Sequence, residues 1–342
     1  MRLGVEVANG RLTGSCGKRA PLQRRNVHGR PVGWPRVRWW LAVGLVGVFL
    51  GVVLLPGHEA AWRVGLDDLM QLGAALFAAW ACSRRARRAT GRSRKGWMFL
   101  YAGLLSWSGG QALWFYVRDV RQEILPDVGI ADAFYLAYVP LTALGVLMVP
   151  RFLFLRRTRW RIALEATFVT LCLFLVGWVV VLQDLAAMSD QSAVVRFIAP
   201  LYPASNLLPA ALALLVHRHA PTAQIVQYRL LAFGFLAVAV GETAYAREAL
   251  QDEFYSGGVV DVAWFAGFLA IGMAARLPPA VGVEARLDPS IALPLGSAAV
   301  ALAAFVGAAV AGTVDVTLWS LGVLAAVIAA FRLGLWRRAV RP

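Results

Sequence analysis

Charge is the scarcest property of this sequence. Of its 342 residues only 15% are Asp, Glu, Lys or Arg, against about a quarter in an ordinary soluble domain. Lysine is nearly missing: Lys18 and Lys95 are the only two among 34 basic residues. That arginine bias points to a GC-rich coding genome, and no mechanism is attached to it. The three cysteines (Cys16, Cys82, Cys172) lie far apart, which excludes a disulfide scaffold. The four histidines form no metal set. His58 and Glu59 with Asp67 and Asp68 have a spacing too unspecific for a divalent-cation site, so no metal and no cofactor is expected. No Gly-rich phosphate loop, nucleophile elbow, HExxH or CxxC is present. Ser106 and Ser108 read as small packing residues rather than nucleophiles. With no nucleophile, metal set or acid–base pair in view, the chain does not read as an enzyme.

What is abundant is apolar surface. Hydrophobic residues make up 59% of the chain, and the mean hydropathy is +0.63. Each bilayer crossing takes about 20 apolar residues, so the supply allows about ten crossings and leaves no room for a sizeable soluble domain. A cytosolic enzyme on a single anchor is thereby excluded. Residues 1–35 are polar and basic with no apolar run, and read as a disordered cytoplasmic tail. The first apolar stretch starts near Trp39 with no small-residue cleavage site after it, which excludes a secretory signal. Apolar runs follow at 39–55, 66–82, 97–117, 131–150, 162–182, 193–216, 229–247, 259–276, 291–311 and 314–333. The expected fold is an all-α polytopic membrane bundle of about ten transmembrane helices. It divides into the tail, a membrane domain over 36–277, and an appended helical pair over 278–342 that ends in a short basic segment.

The charges test the helix count independently. The net charge is +15, which in a soluble protein would suggest nucleic acid. With ten crossings and both termini inside, however, 29 of the 34 basic residues fall on the cytoplasmic side. Only Arg63, Arg118, Arg121, Arg196 and Arg247 fall outside. Of the acids, only Glu6, Glu165, Glu284 and Asp288 lie on or near the inner side. Omitting one helix would invert everything downstream, so the alternation supports ten spans in a bacterial plasma membrane. Nucleic acid is not an expected partner. The inner arginine loops, such as Arg84 to Arg88 and Arg151 to Arg161, read as retention charges that can also meet anionic lipid.

An internal repeat runs through the even-numbered runs. The second begins Gly65-Leu-Asp-Asp68, the fourth Gly129-Ile-Ala-Asp132, and the eighth Gly258-Val-Val-Asp261; the sixth contains Tyr202-Pro-Ala-Ser-Asn206. The third run ends Gly109-Gly-Gln111-Ala-Leu-Trp114-Phe-Tyr116, and the seventh ends Val240-Gly-Glu242-Thr-Ala-Tyr245. The unit reads as a helical hairpin repeated about four times. Asp68, Asp132 and Asp261 each have a structural explanation, capping the free N–H groups of a helix start. Glu242 is different: it sits about one and a half turns inside its run, where an ionisable group is expensive and faces an interior. The candidate ligand-binding set is Gln111, Trp114, Tyr116, Asp132, Tyr135, Glu242, Tyr245, Asp261 and Trp264. For Trp114 and Trp264 an interfacial aromatic belt is the competing explanation.

Several of these residues also form a recognisable series. Trp107-x-x-Gly110-x-x-x-Trp114-x-Tyr116, Pro126, Ala131-Asp132-x-x-Tyr135-Leu136, Tyr202-Pro203 and Tyr255-x-x-Gly258-x-x-Asp261-x-x-Trp264 run in order along the chain. The series resembles the multi-helix membrane sensor region that precedes diguanylate cyclase and phosphodiesterase modules in actinobacterial signalling proteins. The resemblance covers roughly residues 40–335 and implies a membrane sensor. No cyclase signature is present, so catalysis on cyclic dinucleotides does not carry over. Family positions that are usually acidic appear here as Asn206 and as Glu242, so its ligand is not carried over either. The expectation is a sensory or ligand-binding membrane protein without its own output domain. It would take a small molecule from the exterior and signal to a separate cytoplasmic partner, alone or as a homodimer. The alternative is a small-molecule or ion transporter with Glu242 as the coupling carboxylate, for which Pro200, Pro203 and Pro209 would break a helix near the midplane.

Overall fold

A computed structural model of the chain describes residues 36–55, 61–123, 128–150, 159–187, 193–250, 256–278 and 292–340. The tail at 1–35 and the pair His58 and Glu59 lie outside the described residues. Two compact units emerge, Met1–Leu41 and Ala42–Pro342, and the packing below is that of the second.

Among the described residues every regular element is helical. The helices are α1 Arg36–Val53, α2 Ala61–Arg88, α3 Gly91–Phe115, α4 Ile130–Met148, α5 Arg159–Gly177, α6 Ala193–Arg218, α7 Ile225–Leu250, α8 Asp261–Arg276, α9 Ala292–Val310 and α10 Val316–Val340. A π turn at Tyr116–Val120 extends α3. Another at Trp178–Leu182, with a last turn at Gln183–Ala187, extends α5. Each apolar run thus became one helix. Helices α2, α3 and α10 outlast their runs because their charged flanks, such as Arg84 to Arg88, continue the same hydrogen-bond ladder into polar surroundings. Four segments are long and apolar enough to cross a membrane: Ile130–Met148, Leu164–Leu182, Thr222–Glu248 and Pro294–Ala311. The others carry interior polar groups or are shorter, as in the 16 residues of α8.

Six helices close into a ring in the order α2, α3, α4, α6, α7, α8 and back to α2. Phe268 of α8 fills its middle, 4.3 Å from Trp107 of α3 and 6.3 Å from Tyr138 of α4, centroid to centroid. Leu100, Leu104, Leu231, Phe235 and Ile271 complete a dry core. On α2 a run of buried alanines, Ala74, Ala75, Ala78 and Ala79, lets α8 approach closely. Outside the ring, α1 rests on it through Phe49, 4.5 Å from Phe265. Helix α5 packs on α6 and shares a separate apolar core with α9 and α10, built on Phe168, Cys172, Leu175, Ala301, Ala308 and Leu318.

Hairpins α3–α4 and α7–α8 are built to one plan. Gly110 faces the Tyr135 ring, at 2.9 Å from where a β-carbon would stand, and Gly241 faces the Trp264 indole at 3.1 Å. Seven residues earlier, Gly103 meets Tyr138 O and Thr142, and Gly234 meets Gly267 O and Ile271. Counted from Asp132 and Asp261, the partners hold identical offsets in the two hairpins. Matching glycines are needed because only a hydrogen allows backbones this close. Helix α2 also packs on α3, and α6 on α7, so that each of these hairpins has a further ring helix beside it. The α2–α3 turn is also tight, with Gly91 at φ +57°.

Candidate ligand-binding layer

The four even-numbered helices of the ring start at one end, and four of the five buried acids among the described residues, Asp67, Asp68, Glu242 and Asp261, gather there. Helix α2 supplies Asp67, Asp68 and Gln71; α3, Gln111; α4, Asp132 and Tyr135; α6, Tyr202 and Asn206; α7, Glu242; α8, Asp261 and Trp264. Asp67 and Asp261 are each 2% exposed and Glu242 is 7% exposed. Every helix of the ring therefore contributes to one polar layer above the Phe268 plug.

Local rules place these side chains. Asp67 and Gln71 are one turn apart on α2, and Gln71 Nε2 donates to Asp67 Oδ2 at 2.9 Å. Asp68 faces the next helix, where Gln111 Nε2 donates to its Oδ1 at 3.0 Å and Arg118 pairs with its Oδ2. Gln111 Oε1 accepts the Tyr135 hydroxyl at 2.9 Å, which joins α2, α3 and α4 in one chain. Asp132 and Asp261 do cap their helices. Asp132 Oδ2 accepts from Gly129 N at 2.6 Å; Asp261 Oδ2 accepts from Gly257 N at 2.7 Å and Gly258 N at 3.1 Å. Each has a second task. The other oxygen of Asp132 takes the Tyr202 hydroxyl of α6, and Asp261 lies within hydrogen-bond reach of Asp67. Glu242 Oε1 accepts the Trp264 indole N–H at 3.1 Å. The residue three after the capping Asp, Tyr135 or Trp264, thus donates to the matched position of the preceding helix, Gln111 or Glu242, in both hairpins.

The aromatic rings surround this layer. Tyr135 lies 6.5 Å from Tyr202 and 5.7 Å from Trp107, and Tyr245 lies 6.1 Å from Trp264, all edge to face. Of the nine residues proposed from sequence, eight belong to the layer or its rim. Trp114 is at the rim, half-buried, with the Arg118 guanidinium 5.8 Å from its ring. Tyr116 does not belong: it is 50% exposed. Two residues past Trp114 is about 200° of helical rotation, so Tyr116 points the opposite way. Gln111 and Glu242 do not bond to one another; Gln111 is used by Asp68 and Tyr135.

Sequence reading missed several members. Asp67 and Asp68 read as a helix start, Asp68 as a repeat position, and both as an unspecific cation set, and Arg118 as a stray outer charge. The i, i+4 spacing of Asp67 with Gln71, and of Trp114 with Arg118, was the available signal. Tyr202 needed the ring closure between α4 and α6, which no local pattern reveals. Near the layer, Arg63 is buried and donates to the carbonyls of Val53, Leu55 and Gly257, tying the end of α1 to the turn before α8.

The far end of the ring is different. Glu165 of α5 pairs with Arg218 of α6, and His219 Nε2 lies 3.9 Å from the other Glu165 oxygen. Burial and the nearby Arg229 hold His217 below its ordinary pKa, so it is neutral at pH 7. Arg85 donates to Leu277 O at 2.7 Å. Between the two ends, the side chains that α6 packs against its neighbours are apolar, among them Leu207, Ala210, Leu212, Leu214, Leu215 and Val216.

No family model matches the chain, no curated protein is significantly similar to it, and no solved structure matches it.

Proposed function

We propose that the chain is an integral membrane ligand-binding protein of the sensory type, with its site in the polar layer of the six-helix ring. The observation that carries this reading is the layer itself. Six helices each place a polar group at one end of the ring, above a middle filled mainly with apolar and aromatic side chains. An ionisable group at membrane depth costs about 2.5 kcal/mol or more, and a purely structural bundle has no reason to collect several. In this reading the ten helices all span a bacterial plasma membrane, both termini are cytoplasmic, and the layer lies near the outer surface. Signals would leave through the basic inner loops toward a cytoplasmic partner. A transport path is disfavoured by the Phe268, Trp107 and Tyr138 plug and by the apolar stretch of α6.

Two measurements test this. Reporter fusions at Asp127, Asp190 and Asp252 should read external, and fusions at Arg92 and Arg157 cytoplasmic; one inverted result removes a helix from the topology. A thermal-shift panel of cationic, neutral and anionic small molecules on the purified protein should return at least one stabilising compound. Its effect should disappear in Glu242→Gln while the variant remains folded. A panel with no stabilising member refutes the reading.

A further inference from the structure

We propose that the layer binds an organic ammonium ion, seated between Asp132 and Glu242 against the faces of Tyr135, Tyr202, Tyr245 and Trp264. The proposal rests on the layer being a ligand site and adds the class of ligand.

Three independent features converge on it. The first is charge. Of the acids in the layer, Asp68 is matched by Arg118, whereas Asp67, Asp132, Glu242 and Asp261 have no ion pair among the described residues. Arg63 is the other base nearby; it keeps its charge but donates to backbone carbonyls rather than to a carboxylate, so the acids still outnumber the bases. A partly buried site with this surplus of acids repels anions and attracts a cation.

The second is unmet hydrogen bonding. Asn206 Oδ1 is buried without a donor, although its residue is only 4% exposed. It is an acceptor, and buried acceptors are rarely left empty. Asn206 follows Tyr202 by one turn, on the face of α6 whose hydroxyl reaches Asp132. The Tyr138 hydroxyl below is also unpartnered and can accept. A ligand bearing N–H or O–H donors beside its positive charge would meet what the protein leaves open.

The third is the aromatic wall. Tyr135 and Tyr202 pack edge to face on one side, and Tyr245 and Trp264 on the other. Asp132 accepts the Tyr202 hydroxyl and Glu242 accepts the Trp264 indole N–H, so acids and rings share one space. Ring faces beside carboxylates are the arrangement that holds alkylammonium groups. A divalent metal ion would need a set of oxygen or nitrogen ligands, and the described residues include no group of three acids, histidines or cysteines able to hold one. Asp132, Tyr135, Tyr202 and Tyr245 are all half-buried, so the cage opens toward the end where α2, α4, α6 and α8 begin.

The test uses the full-length protein in detergent micelles, with tetramethylammonium and choline as probes. The control is 3,3-dimethylbutan-1-ol, a neutral molecule with the shape of choline, at matched ionic strength. Melting temperature and tryptophan emission are followed against probe concentration. The expected result is saturable stabilisation by choline or tetramethylammonium and none by the neutral analogue. Glu242→Gln should weaken the apparent affinity about tenfold or more. Tyr245→Leu, at a half-buried rim position, provides a second variant should Glu242→Gln fail to fold, with the same direction of effect. Equal responses to choline and its neutral analogue, or no response to either ammonium probe, overturn the proposal. If a neutral or anionic member of the wider panel stabilises the protein instead, the ligand-site reading stands and the ammonium assignment falls.

Discussion

Replacing Gly234 by valine should loosen the ring at a point that can be calculated. A β-carbon at Gly234 would stand 2.6 Å from Ile271 Cγ1 and 2.8 Å from the Gly267 carbonyl oxygen. The isoleucine tip can rotate away, but the carbonyl belongs to the backbone of α8 and cannot. A normal carbon–oxygen contact requires α7 and α8 to separate by about half an ångström or more, and the valine methyl groups add to that. Overpacking of this kind costs about 1–3 kcal/mol, and a branched side chain against backbone belongs at the upper end. For a protein of this size each kcal/mol is worth about 2–4 °C, so the melting temperature should fall by roughly 6–12 °C. Gly103→Val should behave similarly but slightly less severely, because its matched carbonyl, Tyr138 O, is at 3.2 Å. Gly44→Val is the control: nothing lies within 4 Å of its β-carbon position, and stability should be unchanged. The assay is thermal unfolding of each purified variant in one detergent. Equal melting temperatures for Gly234→Val and Gly44→Val would refute both the close helix approach and the repeat plan.

Other outcomes follow from the same geometry. Glu242→Leu should raise the melting temperature while abolishing any ligand response, since it removes a buried acid; a large destabilisation would mean that the Glu242–Trp264 bond is structural. Arg118→Met should destabilise by about 2 kcal/mol, below the range for a fully buried pair because the arginine is 23% exposed, and Asp68→Asn in the same chain should recover most of it; a double variant no better than the single one argues against the pairing. His217 has a folded-state pKa held below its ordinary 6.5, so stability is retained above that pH and falls as pH drops below it. His217→Gln should flatten this acid-side loss in melting curves between pH 7 and 5, and an unaltered curve would show that other groups cause it.

The helices were legible because lipid and core burial both demand long apolar runs, and a helix is the simplest element that satisfies its own backbone. The ring was not legible. Helices α3 and α4 adjoin in sequence, and their hairpin could be read from Gly110 and Asp132. The contacts α4–α6 and α2–α8 skip a helix or close the circle, and only three-dimensional packing creates them. For that reason Glu242 and Trp264 could be placed in a candidate site together, whereas Tyr202 and Asp67 could not. Tyr116 was misplaced for a simpler reason: it shares a motif with Trp114 but not a helical face.

The two halves of the ring separate scaffold from chemistry. Where they match, at Gly103 and Gly234, at Gly110 and Gly241, and at the caps Asp132 and Asp261, the shared feature is backbone geometry, and it explains why both hairpins stand. Where they differ, the difference lies in hydrogen-bonding character. Gln111 stands opposite Glu242, Tyr135 opposite Trp264, and Asp68 opposite Asn206. In the first half the polar groups satisfy one another: Arg118 pairs with Asp68, Asp68 accepts from Gln111, and Gln111 accepts from Tyr135. In the second half Glu242 has only an indole N–H, and Asn206 Oδ1 has no donor. A scaffold repeated twice with only one half internally satisfied puts the vacancy for a ligand on the α6–α7–α8 side. Exchanging the chemistry tests this directly. Glu242→Gln, which gives the second half the residue of the first, should leave the helix packing intact and remove the response to added ligand, whereas Gln111→Glu should weaken packing by setting a carboxylate against Asp68.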